Sequence, residues 1–392
     1  MRRFRIGSAF GIPIKLDLTF LLVLPLFAVV IATQVGTWTE MLNGFWAADI
    51  DPAPLAAPPV SWVLGLAAAL GLFGGIVLHE LGHSLVAMRY GVAIDSITLW
   101  LFGGIAQLEE FPEEWYQELY VAIAGPVVSV ALGVVSYAAF LVVPASTSLP
   151  VTATRFLLGY LAVMNVALAV FNMLPGFPMD GGRVLRALLV RTRPYAQATK
   201  IAAEVGKLFA ILLGLFGVFV VFNPFLLALA FFIYIGASSE AQQTLMQAAF
   251  EGVVVADIMT PADRVETVDE GLSVAALVET MFDQRHTGYP VERDGEIVGV
   301  VTLEDARAVK AVERDAYTVG DVMSREVHTV APDADVMTAL TEMQEHGIGR
   351  LVVDGEEFAG LLTRSDVMTA LSIIKSSGQF TRPSTDGSET EP

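Results

Sequence analysis

The sequence predicts a polytopic α-helical membrane domain of about six spans, followed by a soluble α/β domain built from two repeats. Three observations predict it. Uncharged runs of membrane-spanning length recur through the first 250 residues, charge is segregated into the remainder, and that remainder contains an internal repeat. With 54% apolar residues and mean hydropathy +0.60 over 392 residues, the chain is too apolar for an ordinary soluble protein and long enough for several domains. Residues 1–250 hold 14 acids and 12 bases, whereas residues 251–392 hold 28 acids and 11 bases. That acidity argues against nucleic-acid binding and suits a salt-rich cytoplasm. There are no cysteines, so disulfides and thiol catalysis are excluded and any zinc site must use His, Asp or Glu.

The basic start, Arg2, Arg3 and Arg5, precedes an apolar run from Leu18 to Ala32. It lacks a small-residue cleavage site, so a retained first helix is expected rather than a signal peptide. Further runs cover Val60–Leu78, Val121–Val143, Phe156–Met179 and Leu208–Ser239. A span needs about 20 apolar residues. The last run has 32, interrupted by Asn223-Pro224, and reads as two helices in a hairpin, the alternative being one long tilted helix. Basic residues before the first span (Arg2, Arg3, Arg5), after the second (Arg89) and after the fourth (Arg183, Arg186, Arg191, Arg193) place the N-terminus and the soluble half in the cytoplasm. Arg155 is an exception. Residues 96–108 are apolar, β-prone and too short to span twice, so strands or a re-entrant hairpin are expected, and Glu109–Glu118 reads as an acidic surface loop. The expected limits are 1–245 for the membrane domain, 253–312 and 317–375 for the two repeats, and 376–392 for a disordered tail rich in Ser, Thr, Gly and Pro.

The second run ends in His79-Glu80-Leu81-Gly82-His83. Metal-binding and charged groups are costly in hydrocarbon and therefore usually functional there. On a helix, His79 and His83 lie one turn apart on one face, and both imidazoles reach one zinc. Glu80 stands beside the metal, placed to take a proton from water. A catalytic zinc uses three protein ligands, and the other three histidines all lie in the soluble half, so the third ligand must be a carboxylate. Asp180 is the candidate. Pro175, Pro178, Gly176, Gly181 and Gly182 surround it and should break the helix there. Otherwise Asp180 caps a helix or pairs with Arg183. Asn172 can stabilise an oxyanion or serve as a helix-packing hydrogen-bonder.

The pair His79-Glu80-x-x-His83 and Asn172-x-x-Pro175-x-x-Pro178-x-Asp180-Gly181 resembles the site-2 proteases, intramembrane zinc metalloproteases, over roughly residues 1–220. The resemblance implies zinc bound by His79, His83 and Asp180, Glu80 as base, and transmembrane proteins in a lipid bilayer as substrates. It also likens the strand with Gly103 and Gly104 to the family's substrate-binding strand.

In the soluble half, Asp257-Ile-Met-Thr260 recurs as Asp321-Val-Met-Ser324, and Val298–Asp305 recurs as Ala359–Asp366. Each unit reads as strand, helix, two strands, helix. The units resemble a CBS pair, which implies an adenosine nucleotide held through Thr302, Asp305, Thr363 and Asp366, with Arg350 near phosphate, and association as a homodimer. Alternatively each Thr and Asp caps a helix. Two other functions fit the combination: a CBS-regulated ion channel or transporter, and a non-catalytic membrane nucleotide sensor.

Overall fold

In the computed structural model, residues 3–100, 103–108, 114–355 and 358–377 are described. The chain divides into two compact units, 1–242 and 243–392.

The first unit opens with a hairpin, β1 (Arg3–Ala9) and β2 (Ile12–Asp17). It turns through Phe10 and Gly11, both at positive φ, as a tight antiparallel turn requires. Then come α1 (Phe20–Trp46), α2 (Pro52–Ala56), α3 (Val60–Arg89), β3 (Ile94–Trp100), β4 (Gly103–Leu108), α4 (Trp115–Val142), α5 (Leu149–Asn172), α6 (Asp180–Val190), α7 (Tyr195–Phe219) and α8 (Pro224–Ala249). Six of these helices, α1, α3, α4, α5, α7 and α8, are long and apolar enough to span a membrane. The hairpin reading of the last uncharged run holds, with α7 and α8 meeting at Asn223-Pro224.

Apolar side chains such as Leu22, Val135, Val142, Phe219 and Phe231 point outward, as hydrocarbon allows. Helices approach through small residues instead: a Cβ on Gly65 of α3 would come within 2.3 Å of the Ala28 carbonyl oxygen of α1. The core among α1, α3 and α5 is apolar and aromatic, with Trp38 edge-on to Tyr160. The four strands form one sheet in the order β1-β2-β3-β4, with β2 and β3 parallel. Ile12, Ile97 and Leu81 pack together, which seats the sheet against α3 beside Glu80.

Several expectations change. The N-terminal basic segment is a β-hairpin. Span four ends at Asn172, and Asp180 opens the separate helix α6 rather than closing that span. Glu118, expected on an acidic surface loop, is buried on the first turns of α4. The rest of that loop, 109–113, lies outside the described residues. So does the expected tail beyond Ser377. Arg155 is a packing residue: its guanidinium donates to the Val143 and Ala48 carbonyls and lies over the Phe140 ring.

The second unit contains α9 (Val255–Ile258), β5 (Thr260–Pro261), β6 (Val268–Asp269), α10 (Val274–Gln284), β7 (Gly288–Arg293), β8 (Glu296–Thr302), α11 (Leu303–Ala308), α12 (Val319–Val322), β9 (Thr329–Val330), α13 (Val336–Glu345), β10 (Arg350–Asp354), β11 (Phe358–Thr363) and α14 (Arg364–Ser377). The strand, helix, two strands, helix pattern appears twice, as β6-α10-β7-β8-α11 and β9-α13-β10-β11-α14. Strand β5, from the lead-in to the first repeat, joins the sheet of the second, in the order β5-β11-β10-β9, so the repeats interlock. Each repeat has its own core, around Leu277, Tyr289 and Val301 in the first and Met343, Leu351 and Leu362 in the second.

Candidate active site

Helix α3 is uninterrupted through the pentapeptide and carries His79 and His83 on one buried face. The segment 173–179 between α5 and α6 has no regular helix, because Pro175 and Pro178 withhold amide donors. This segment lies directly on α7: Phe177 N–H donates to the Ala202 carbonyl at 3.3 Å, and a Cβ on Gly206 would meet the Phe177 carbonyl oxygen at 2.1 Å. The chain then turns into α6 with Asp180 as its first residue.

The result is a triangle of ligand atoms. His79 Nε2 and His83 Nε2 are 3.2 Å apart, and Asp180 Oδ2 lies 3.1 Å from the first and 3.2 Å from the second. A zinc about 2.0–2.1 Å from each of three tetrahedral donors holds them about 3.3–3.4 Å apart. The side chains present therefore fit zinc with shifts of a few tenths of an ångström. The other ring nitrogens are held from behind. His83 Nδ1–H donates to the Val121 carbonyl at 2.6 Å, and His79 Nδ1 lies 2.8 Å from Ser129 Oγ, both on α4. Such partners fix the tautomer that leaves Nε2 free for a metal.

Gly125, also on α4, completes the cradle. A Cβ there would stand 2.2 Å from His83 Nε2 and 2.7 Å from His79 Nε2, so only glycine leaves the space in front of the two imidazoles open. Glu80 is half-buried, within electrostatic reach of His79, His83, Asp180 and Arg183. Asn172 is half-buried near the end of α5 and donates from Nδ2 to its own Leu168 carbonyl at 3.1 Å.

A buried ion network holds α6 in position. Arg186 is 1% exposed, with Nε donating to Glu118 Oε1 at 2.7 Å and Nη1 to Glu240 Oε1 at 3.1 Å. Its guanidinium lies over the rings of Phe177 and Tyr195. Losing either carboxylate would leave a buried charge short of partners, which is strongly destabilising. Two turns of α6 thus tie the strand of residues bearing Asp180 to α4 and α8.

Strand β4 is an edge of its sheet and lies against α3. Gly103 and Gly104 pair through the backbone with Trp100 and Leu99 on β3, and the other edge of β4 has no strand partner among the described residues.

The peptidase family M50 profile matches residues 67–213, and CBS domain profiles match 255–311 and 319–373. Zinc metalloprotease MJ0392 of Methanocaldococcus jannaschii is 34% identical over 371 residues, covering 95% of this chain and 96% of its own. The chain belongs to peptidase family M50. This M50 metalloprotease is also similar to the solved site-2 protease from the same organism, at 33% identity over 61% of this chain and 95% of that one, with a TM-score of 0.42. Its C-terminal unit is similar to the CBS-pair protein CBSX2 from Arabidopsis thaliana, at 28% identity over 32% of this chain and 98% of that one, with a TM-score of 0.29. The site-2 protease reading, drawn from two motifs, and the CBS reading, drawn from a repeat, are both borne out at family level.

In the M50 enzyme's CBS pair, all four candidate ligand residues serve as helix caps. Asp305 Oδ2 accepts from Thr302 N at 2.8 Å and from its hydroxyl at 2.6 Å, and Asp366 does the same for Thr363 at 2.8 and 2.7 Å. Arg350 reaches from β10 to the first repeat, with Nη2 3.5 Å from Thr287 Oγ1 and the guanidinium filling the space a side chain on Gly288 would need. Burial lowers the Arg350 guanidinium from its ordinary range, opposed by the nearby Asp305 and Tyr289.

Proposed function

We propose that this M50 peptidase is an intramembrane zinc endopeptidase that cuts transmembrane helices of other membrane proteins within the bilayer. His79, His83 and Asp180 are its zinc ligands and Glu80 is its catalytic base. The observation that carries the reading is the triangle of three ligand atoms 3.1–3.2 Å apart, with Glu80 beside it. An ion held there supplies two things: it lowers the pKa of a coordinated water to about 7 and polarises a carbonyl. Glu80 takes the proton from the attacking water and passes it to the leaving amine. The Asn172 amide has a second proton besides the one given to Leu168, and that proton stabilises the developing oxyanion. The edge of β4 at Gly103 and Gly104, which has no strand partner among the described residues, receives the substrate backbone once its helix has locally unwound.

The basic residues at Arg5, Arg89, Arg191 and Arg193 support a cytoplasmic N-terminus and cytoplasmic CBS domains, which also puts water entry and cleavage toward that side. The test is metal content. Purified Asp180→Ala is expected to lose the zinc of this site and cleavage of a membrane substrate, measured by plasma mass spectrometry and by gel assay. Full zinc with undiminished activity would sink the ligand assignment.

The CBS pair carries the regulation, as an adenosine-nucleotide sensor and a contact between two copies of the chain. Arg350, half-buried near Thr287 and Asp305, supplies the positive charge for phosphate. Arg350→Ala is expected to weaken AMP binding about 10-fold or more, since hydrogen bonds to charged groups contribute about 1.5–3 kcal/mol. Equal affinities in calorimetric titration would remove Arg350 from that site.

A further inference from the structure

The chain has five histidines, and four of them come together in two pairs. One pair is at the active site. The other, His328 and His346, meets on the second CBS repeat with ring centroids 4.2 Å apart and the rings tilted by 45°. Glu342 brings a carboxylate beside them, and ligand atoms of all three side chains lie within 4.8 Å of one another.

The local structure prepares these groups for a cation. Glu342 and His346 stand at the end of α13 with a spacing of four, one above the other on a single face, which is the spacing of His79 and His83. His346 caps the helix, and its Nδ1 lies 3.1 Å from the Glu342 carbonyl oxygen. With the proton on Nδ1 donated to that carbonyl, Nε2 keeps its lone pair for a metal. His328 comes from the extended segment before β9, where its carbonyl accepts from Val352 N–H at 3.0 Å, so its backbone is held by the sheet. His328 and Glu342 are half-buried and His346 is exposed, so these side chains can close on an ion and leave its remaining position to water. Two imidazoles and one carboxylate are a donor set suited to zinc and other late divalent metals, and poorly suited to magnesium or calcium.

We propose that His328, Glu342 and His346 form a second divalent-metal site, of the zinc class, on the second CBS repeat. The site ties the end of α13 to the lead-in of β9. It also stands at the start of the turn 347–349, with Gly347 at φ +68°, that delivers Arg350 to the first repeat. Occupancy therefore pins the segment from which Arg350 projects.

The experiment is zinc stoichiometry of the full chain in nanodiscs, equilibrated with buffered free zinc, for the wild type, His346→Gln and Asp180→Ala. His346→Gln is expected to hold one zinc per chain fewer than the wild type while cleaving substrate at the wild-type rate. Asp180→Ala is expected to keep the His346-dependent zinc, which separates this site from the catalytic one. Zinc should also raise the unfolding temperature of the soluble unit in the wild type and in Asp180→Ala, but not in His346→Gln. Equal zinc content in wild type and His346→Gln overturns the proposal. So does a zinc-induced thermal shift that survives in His346→Gln.

Discussion

Replacing Glu80 by Gln is expected to abolish proteolysis while leaving zinc in place. Glu80 neighbours His79 on α3, so the 100° step between successive helical residues turns it away from the face that carries the two imidazoles. It belongs to the site electrostatically, through His79, His83, Asp180 and Arg183, without sharing in the triangle of ligand atoms. Gln keeps the shape and cannot accept the proton. Loss of a positioned general base costs about 10²- to 10⁴-fold in rate. The ligands and the α4 groups behind them are untouched, so metal content should match the wild type. Cleavage of a transmembrane substrate by purified, metal-controlled enzyme measures the first quantity and plasma mass spectrometry the second. Undiminished hydrolysis would remove Glu80 from the chemistry. A loss of zinc together with activity would instead make Glu80 part of the metal's own support.

Much of the architecture was legible because lipid punishes charge. Runs such as Val60–Leu78 and Leu208–Ser239 have no charged residue, and Asn223-Pro224 marks a place where the last run can turn. His79 and His83 were legible because a spacing of four is a local property of a helix. Asp180 required elimination across a hundred residues, and the structure brings it to both imidazoles. Glu118 misled because the sequence around it is acidic. Its partner Arg186 lies on another helix, and nothing local distinguishes a carboxylate that will be paired from one left in water. The β1–β2 hairpin was hidden although Arg3-Phe4-Arg5-Ile6 and Ile14-Lys15-Leu16-Asp17 alternate, because arginines ahead of a span read as a topology signal; its turn is at Phe10-Gly11. The carbonyl of Val121 has no sequence signature at all, since every residue has one, and Ser129 is one hydroxyl among many in an apolar helix.

Gly125 carries the second large prediction, because it looks like filler in an apolar span and is the residue on which the metal geometry depends. Gly125→Ala should eliminate zinc binding at the His79, His83 and Asp180 site and with it proteolysis. The added methyl would lie 2.2 Å from His83 Nε2, 2.6 Å from its Cε1 and 2.7 Å from His79 Nε2, so the imidazoles must move. They have little freedom to do so. His83 is bonded through Nδ1 to Val121, one turn earlier on the same α4 backbone, and His79 contacts Ser129, one turn later. Rotating either ring away breaks that hydrogen bond and points Nε2 off the triangle, while shifting α4 outward strains its packing on α3, where a Cβ on Gly82 would already meet Ala124 and Val128. Overpacking of this kind costs about 1–3 kcal/mol, which a folded membrane helix bundle can bear, so the variant is expected to fold and to lack the active-site metal. Gly74→Ala on α3 is the control, because a Cβ there meets nothing within 4 Å, and it should keep full zinc and activity. Zinc content and substrate cleavage of the two variants, purified side by side, decide the matter. A Gly125→Ala enzyme with wild-type zinc and rate would mean that α4 does not approach the imidazoles as closely as these distances require.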